Sequence, residues 1–575
     1  MHADVVGSSW FISVKPGTVR EEPGACPTHR GAAIRPLVPA PRPGFGPLQQ
    51  FGFGPLCDAL DRVEHQGGAV AGVLEELRLR RGDLRGWGVP AHAALVRWTT
   101  EMVPRFLAAR AAEQRTAAEA GLPPSDPIPW PWVVRTARTD VPDARGARQY
   151  EHTVWGRAYA SADGTLRDLW LPSFGQAKEG LPEAELAAIA YVLLNGEPEP
   201  RRRRGSAPPP SATRTKHPPH RLRVFSFGCA DGSWRTLLDW RDEQVQEQFV
   251  GHAAPAFHRA ATDTGARPGP DCVECKAISR CQTLQRTPRL WHGRPTVPAR
   301  RRRSLSAWDL RLYAQCPAQY HLTRHLRLTS LQQESDAARR GRAVDAWLNE
   351  AHRSRRPRGC RELPGPTSAT SWSAGGYRLE GALAQEGAAM LREHQSLCPL
   401  DGLGEDEQVL VQHRVTTYVP ELDVVVIAVP DLLHTRAGGW VWRETKTSTR
   451  PLWEGRSLMA QYPQLALGVL LLAAGAMGAQ PRRSWVEFEL LNGNDGALEP
   501  LDPSQPVVVD EARDVVHELA QPLLDDADYA PRTGRHCHGC QARPWCTAGS
   551  AYVVEHPSPP DHADAGPRPE EADDV

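Results

Sequence analysis

A chain of 575 residues is longer than one hydrophobic core organises, so two or three domains are expected. Acidic and basic side chains number 68 each, which excludes binding nucleic acid through overall basicity and leaves any such role to local patches. The start Met1-His-Ala-Asp-Val has no basic region followed by an apolar core, and the longest apolar run, Leu465 to Ala479, is 15 residues interrupted by glycine, too short to span a bilayer. A cytoplasmic protein with no membrane partner is expected, in which the 12 cysteines serve as metal ligands or plain thiols rather than disulfides.

Residues 1–56 are rich in Pro and Gly and read as an irregular arm. Helical patterning runs from Leu56 to Leu77 and from Ala91 to Ala120. Tyr150 to Leu171 reads as strands with a turn at Asp163-Gly164, and Glu185 to Leu194 as a buried helix. Arg201 to Arg204 and the Pro-rich run to Pro219 form a loop. There follow a strand at Val224 to Phe227, a turn at Asp231-Gly232, a helix over Asp242 to Ala261 and Cys272-x2-Cys275-x5-Cys281. A basic linker, 286–303, ends in Arg300 to Arg303, which reads equally as a phosphate contact or a solvated run.

In the helix 334–352 the residues Val344, Trp347, Leu348 and Ala351 make an apolar stripe, while Asp345, Asn349 and His352 share a second one, His352 reading as a surface residue. Glu405 and Glu407 are candidate extra carboxylates. A β-branched strand at Val424 to Val429, a turn at Ala437-Gly438-Gly439 and a strand at Trp440 to Lys446 come next. A buried helix from Gln464, a strand at Trp485 to Leu490, a turn at Asp495-Gly496, a helix over Asp510 to Leu524 and Cys537-x2-Cys540-x5-Cys546 complete this half. The acidic, Pro-rich segment 551–575 reads as a disordered tail.

The two halves repeat one order of elements. Asp231 precedes Cys272 by 41 residues and Asp495 precedes Cys537 by 42, the one large discrepancy being the Arg/Pro-rich insertion in the first half. Two copies of one domain are expected, at 57–285 and 304–550. Only the second carries a chemical centre. Period-2 alternation puts Trp440, Trp442, Glu444 and Lys446 on one strand face, and Asp431 lies just upstream. Two carboxylates on neighbouring strands can hold a hard divalent cation such as Mg²⁺, and a lysine two residues beyond can position a water. The chain has only five lysines, so a lysine at this spacing is a poor chance match, although a salt-bridged surface hairpin would have the same letters. At Gly156 to Tyr159 and at Thr165 to Arg167 or Asp168 to Trp170 the first copy lacks that set. It is expected to be degenerate, binding nucleic acid through Arg201 to Arg204 or serving as scaffold. Each cysteine triad is one thiolate short of a four-ligand site. Cys316 is the candidate in the second half, and Cys26 or preferably Cys57 in the first. Cys229, Cys360 and Cys398 read as plain thiols.

Pro430-Asp431 followed by Glu444-Thr445-Lys446 resembles the core motif of the PD-(D/E)XK nuclease superfamily, in particular its RecB-like branch with the AddB nuclease domain and the CRISPR-associated RecB-like exonucleases. Ser304 to Pro317 resembles the opening helix of that branch with its cluster cysteine, Gln464-Leu-Ala-Leu-Gly468 its Q-L-x-x-Y helix, and Cys537, Cys540 and Cys546 its closing triad. Gly468 departs from the usual tyrosine and Asp345 from the usual metal-binding histidine. The resemblance implies an α/β fold with tandem restriction-endonuclease-like domains, a mixed central sheet flanked by helices, each closed by a cysteine cluster. It implies catalysis by Asp431, Glu444, Lys446 and Gln464 with Mg²⁺ or Mn²⁺ on Asp345, Asp431, Glu444 and the Thr445 carbonyl. It implies a [4Fe-4S] cluster on Cys316, Cys537, Cys540 and Cys546, zinc being the chemical alternative, and Cys272, Cys275 and Cys281 form a second such set. DNA is the implied substrate, with a helicase or defence-complex subunit as partner in repair, recombination or defence. A non-catalytic iron–sulfur or zinc scaffold is the rival reading.

Overall fold

A computed structural model describes residues 7, 10–20, 24–37, 46–143, 146–200, 218–293, 302–330, 334–354, 359–363, 366, 370–452, 455–494 and 496–557. Arg201 to Arg204, Arg300, Arg301, Asp495 and the tail from residue 558 lie outside the described residues.

Two five-stranded mixed sheets dominate, and they have the same topology. The first orders Ser125–Ile128, Arg157–Ser161, Leu166–Ser173, Arg221–Gly228 and Trp234–Arg241, paired antiparallel, antiparallel, parallel and antiparallel. The second orders Val409–Val411, Leu432–Arg436, Gly439–Thr447, Trp485–Leu491 and Ala497–Leu501 with the same sequence of senses. In each sheet a helix crosses between the two parallel strands, Glu183–Asn195 in the first and Pro463–Ala473 in the second. The apolar run noted in the sequence is this second helix: Leu465 through Leu472 are buried, and at about 1.5–3 kcal/mol for each large apolar side chain it is a core helix. Among the described residues no helix is long and apolar enough to cross a membrane.

The second sheet corrects one reading of the sequence. Val424–Ala428 is not the hairpin partner of the motif strand; it belongs to a separate sheet ordered Gln285–Arg286, Val415–Val419, Val424–Ala428 and Arg303–Leu305. Pro430 has no N–H to give to a ladder, and at Val429-Pro430 the chain leaves one sheet for the other. The true partner, Leu432–Arg436, meets Gly439–Thr447 through a two-residue turn in which both Ala437 (φ 50°) and Gly438 (φ 76°) are left-handed. Glu407 accepts from the Ala437 N–H at 3.0 Å, so it serves the turn and not a metal, and Glu405 is exposed.

The arm is also more regular than its composition suggests. Phe11–Val14 pairs in parallel with residues 149–152, and Pro27–Ala33 is a helix. The linker contributes strands, and two of its arginines, Arg302 and Arg303, are engaged within the fold. Arg302 pairs with Asp423 at 2.7 Å and donates to carbonyls of Val273 and Cys275, while Arg303 donates to the Leu523 carbonyl at 3.0 Å. That pair is therefore not a solvated run; Arg300 and Arg301 lie outside the described residues. The halves interlock at their cysteines: Cys272 and Cys275 pack with Val425 of the second half, and Cys316 and Cys540 pack with the core around Leu56 and Trp98 of the first.

Candidate active site

Alternation along Gly439–Thr447 sends Trp442, Glu444 and Lys446 to the face under helix Pro463–Ala473, and Arg443 and Thr445 to the opposite face. Asp431, just before the neighbouring strand, lies across from Glu444. Its Oδ2 accepts from the Thr445 N–H at 2.8 Å. Lys446 Nζ is 3.4 Å from Asp431 Oδ2, 3.5 Å from Glu444 Oε2 and donates to the Thr445 carbonyl at 3.0 Å. Trp442 Nε1 donates to Glu444 Oε1 at 3.0 Å, which leaves Oε2 to face the lysine.

Asp345 reaches the same place from helix Asp336–Ser354. Asn349, one turn on, donates to its Oδ2 at 3.0 Å, and Gln412 Nε2 bridges its Oδ1 (3.3 Å) and Asp431 Oδ1 (3.1 Å). Gln412 follows the strand Val409–Val411 in a left-handed conformation, φ 50°. No feature of its local sequence marks it, because its role depends on that backbone turn. Asp345, Asp431, Glu444, the Thr445 carbonyl and Lys446 are thus brought together. Gln464 is half-buried at the start of its helix and makes no hydrogen bond to Asp431, Glu444 or Lys446.

The electrostatics are those of three carboxylates crowded around one ammonium. Burial, and after it the Asp431 charge, pushes Glu444 up to about 8 despite the nearby ammonium. Loss of solvation and the same Asp431 charge push Asp345, at the open rim, up to about 6. Burial pulls Lys446 down, but Asp431 and Glu444 outweigh it and hold its pKa above the ordinary lysine value. Lys446 is therefore a charged donor at neutral pH.

Residues 304–547 match the family model of the PD-(D/E)XK nuclease superfamily. This segment is a PD-(D/E)XK nuclease superfamily domain. No curated protein matches the chain. The matched segment runs from the strand before its opening helix to the residue after Cys546, and the match suggests a nuclease-type function for that segment.

The departure at Gly468 has a packing reason. A Cβ there would stand 3.1 Å from the Trp442 indole, which fills the space a larger side chain would need. In the first half, counting back from the turn of the equivalent hairpin sets Gly156 opposite Asp431, Leu171 opposite Glu444 and Ser173 opposite Lys446. This replaces both registers considered from the sequence and leaves those positions without carboxylate or ammonium.

Ten of the twelve cysteines sort into three groups, Cys57 and Cys229 belonging to none of them. Cys316, Cys537, Cys540 and Cys546 line one cavity. Cys272, Cys275 and Cys281 line another with Cys26, whereas Cys57 faces a different cavity, so the fourth member is Cys26. The Cys26-Pro27 pair opens a helix just as Cys316-Pro317 does. Cys360 and Cys398 are not isolated, and His352 is not on the surface: with His394 they form one buried group.

Proposed function

We propose that the second half is a RecB-like, metal-dependent deoxyribonuclease acting in DNA repair, recombination or defence, beside a helicase or defence-complex subunit. The observation that carries the reading is the convergence of Asp431 and Glu444 on Lys446, with Asp345 tied to Asp431 through Gln412, within a PD-(D/E)XK domain. The same set weighs against a purely scaffolding role. A surface salt bridge has no use for a third carboxylate held by Gln412 and Asn349. Release of label from DNA by the full chain in Mg²⁺ or Mn²⁺, with Asp431→Asn as the blank, tests it.

The donor set is all oxygen, which suits Mg²⁺ or Mn²⁺, with Asp345, Asp431, Glu444 and the Thr445 carbonyl as the ligands. Such an ion, when bound, would neutralise charge on the phosphate and ease deprotonation of water. The protein's own groups do the rest. Trp442 and Gln412 fix the carboxylates by hydrogen bonds, and Lys446, charged and with three donors, orients the water toward phosphorus. Water oxygen adds to phosphorus, one P–O ester bond breaks, and the leaving oxygen takes a proton. Gln464 would reach the substrate backbone from the helix beside this face.

A pH prediction follows. Without metal, the folded protein keeps protons on Glu444 and Asp345 that ordinary unfolded carboxyls have released, so stability falls as pH rises from the ordinary carboxylate range through about 8. A bound cation replaces those protons. The gain in Tm on adding Mg²⁺ should therefore be larger at about pH 8.5 than at about pH 6, measured by differential scanning fluorimetry on the same preparation. An equal gain at both would contradict this assignment of ligands.

For the cysteine quartets we propose [4Fe-4S] clusters. Cys316, Cys537, Cys540 and Cys546 line one cavity together with Gly549. A Cβ at Gly549 would stand 3.4 Å from Cys546 Sγ and 3.5 Å from Cys537 Sγ, and backbone N–H groups of Gln319 and Arg532 point at Cys316 Sγ at 3.5 and 3.4 Å. N–H···S bonds of this kind stabilise thiolate charge. Protein purified anaerobically is expected to contain iron and absorb broadly in the visible, with Cys316→Ser losing part of both. Colourless parent protein with zinc in the quartets would overturn it. The first half, without the carboxylates, is proposed as a binding or scaffolding copy.

A further inference from the structure

Four residues that the sequence offers as two plain thiols, a surface histidine and an unremarked one meet in the interior of the PD-(D/E)XK domain. His352 lies near the end of helix Asp336–Ser354 and Cys360 begins the short turn Cys360–Glu362; His394 lies in the last turn of helix Gly381–Leu397, and Cys398 caps that helix. All four are buried, and one ligand atom from each lies within 4.8 Å of the others. We propose that these four side chains bind a structural zinc ion, distinct from the nuclease centre and from both cysteine quartets.

Three observations carry the assignment. The first is the donor set: two imidazoles and two thiols match the borderline softness of Zn²⁺ and are a poor set for Mg²⁺ or Ca²⁺. Tetrahedral bonds of about 2.0–2.3 Å put neighbouring ligand atoms roughly 3.3–3.8 Å apart. His352 Nε2 and His394 Nε2 are already 3.1 Å apart, ring nitrogen facing ring nitrogen.

The second is the support behind the ligands. His394 Nδ1 meets Glu489 Oε1 at 2.8 Å, with both residues fully buried. A carboxylate on Nδ1 selects the tautomer that keeps its N–H there and turns the Nε2 lone pair into the cluster, the usual outer support of a zinc-bound histidine. The Cys360 N–H points at Cys398 Sγ at 3.5 Å, as a thiolate requires. Thiolates and imidazoles sealed from water without a cation would carry an uncompensated cost, which a bound dication removes.

The third is the wiring. The other oxygen of Glu489 accepts from the Thr445 hydroxyl at 2.8 Å, and Thr445 sits between Glu444 and Lys446 on the motif strand. Asp345 lies seven residues before His352 on one helix, about 10 Å along its axis. A zinc ion here would pin the helix that carries Asp345 to the helix Gly381–Leu397 and, through Glu489, to the sheet that carries the motif. All ligand positions are filled by protein, so the site is closed and structural rather than catalytic.

The test is metal content, which does not depend on cleavage. Full-length protein expressed with zinc and iron supplied is analysed by mass spectrometry for both metals, beside Cys360→Ser/Cys398→Ser and the control Cys229→Ser. The double variant is expected to lose one equivalent of zinc per chain with iron unchanged and a lower Tm, and the control to lose none. A folded double variant with the zinc content of the parent overturns the proposal, as does an intact-mass loss of two hydrogens that maps to a Cys360–Cys398 disulfide in the parent. Should the double variant not fold, zinc X-ray absorption of the parent decides. A first shell containing nitrogen as well as sulfur supports the site, and an all-sulfur shell or the absence of zinc overturns it.

Discussion

Lys446→Ala should lower DNA cleavage by about 10²–10³-fold, the cost typical of losing one preorganised charged donor at a reacting centre, while leaving the fold intact. Its ammonium sits 3.4 and 3.5 Å from Asp431 and Glu444, and the two carboxylates hold its pKa high, so what disappears is a fixed cation that aims water. The fold survives because Glu444 can keep a proton, or a bound divalent ion can take up the freed negative charge. Lys446→Arg should not restore the rate, since a planar, bulkier guanidinium cannot occupy the position of a compact ammonium already held by three oxygens. A folded Lys446→Ala protein that cleaves at the parental rate would overturn the role given to this residue.

Arg223→Met should cost about 3–5 kcal/mol of unfolding free energy in a denaturant titration. Asp168 is fully buried. Arg223 holds it with bonds of 2.8 and 2.6 Å and reaches Glu113 at 2.5 Å, Arg110 takes the other Glu113 oxygen at 2.6 Å, and Ser125 donates to Asp168 at 2.8 Å. Removing the one guanidinium that serves both acids strands Asp168 without an opposite charge in the core. Cleavage per folded molecule should not change, because this network lies in the first half, on the sheet face covered by helix Ala93–Glu119. A loss below about 1 kcal/mol would show that water or Arg110 replaces the contact.

The contrast between these two clusters bears on what the sequence could reveal. Asp431 and Glu444-x-Lys446 were legible because the spacing is local: a two-residue turn and a period of two suffice to put them on one face. Which strand completes the hairpin was not. Val424–Ala428 and Leu432–Arg436 are both apolar and extended, and only tertiary pairing shows that the chain changes sheets at Pro430. Gln412 carries no signal, since its reach to Asp345 and Asp431 comes from one left-handed backbone angle. Cys57 begins a helical pattern and so reads as the fourth ligand, but the Cys-Pro pair repeated at 26 and 316 is the better guide, because each pair opens a helix beside its triad. His352, Cys360, His394 and Cys398 read as separate residues because the ends of two helices bring them together, the two histidines being 42 residues apart; the four-residue step from His394 to Cys398 is the local signal that could have joined two of them. The repeated element order was visible in the spacing of turns and cysteines, and the two sheets have the same order and sense.

The most direct measurement is metal-dependent cleavage of end-labelled single- and double-stranded DNA by the full chain, run beside Asp431→Asn from a parallel purification. The account predicts strand scission by the parent in Mg²⁺ or Mn²⁺, its arrest by EDTA, and no scission above background by the variant, both proteins melting at similar temperatures. Intact DNA after incubation with folded, metal-supplied parent, or equal scission by Asp431→Asn, would contradict it.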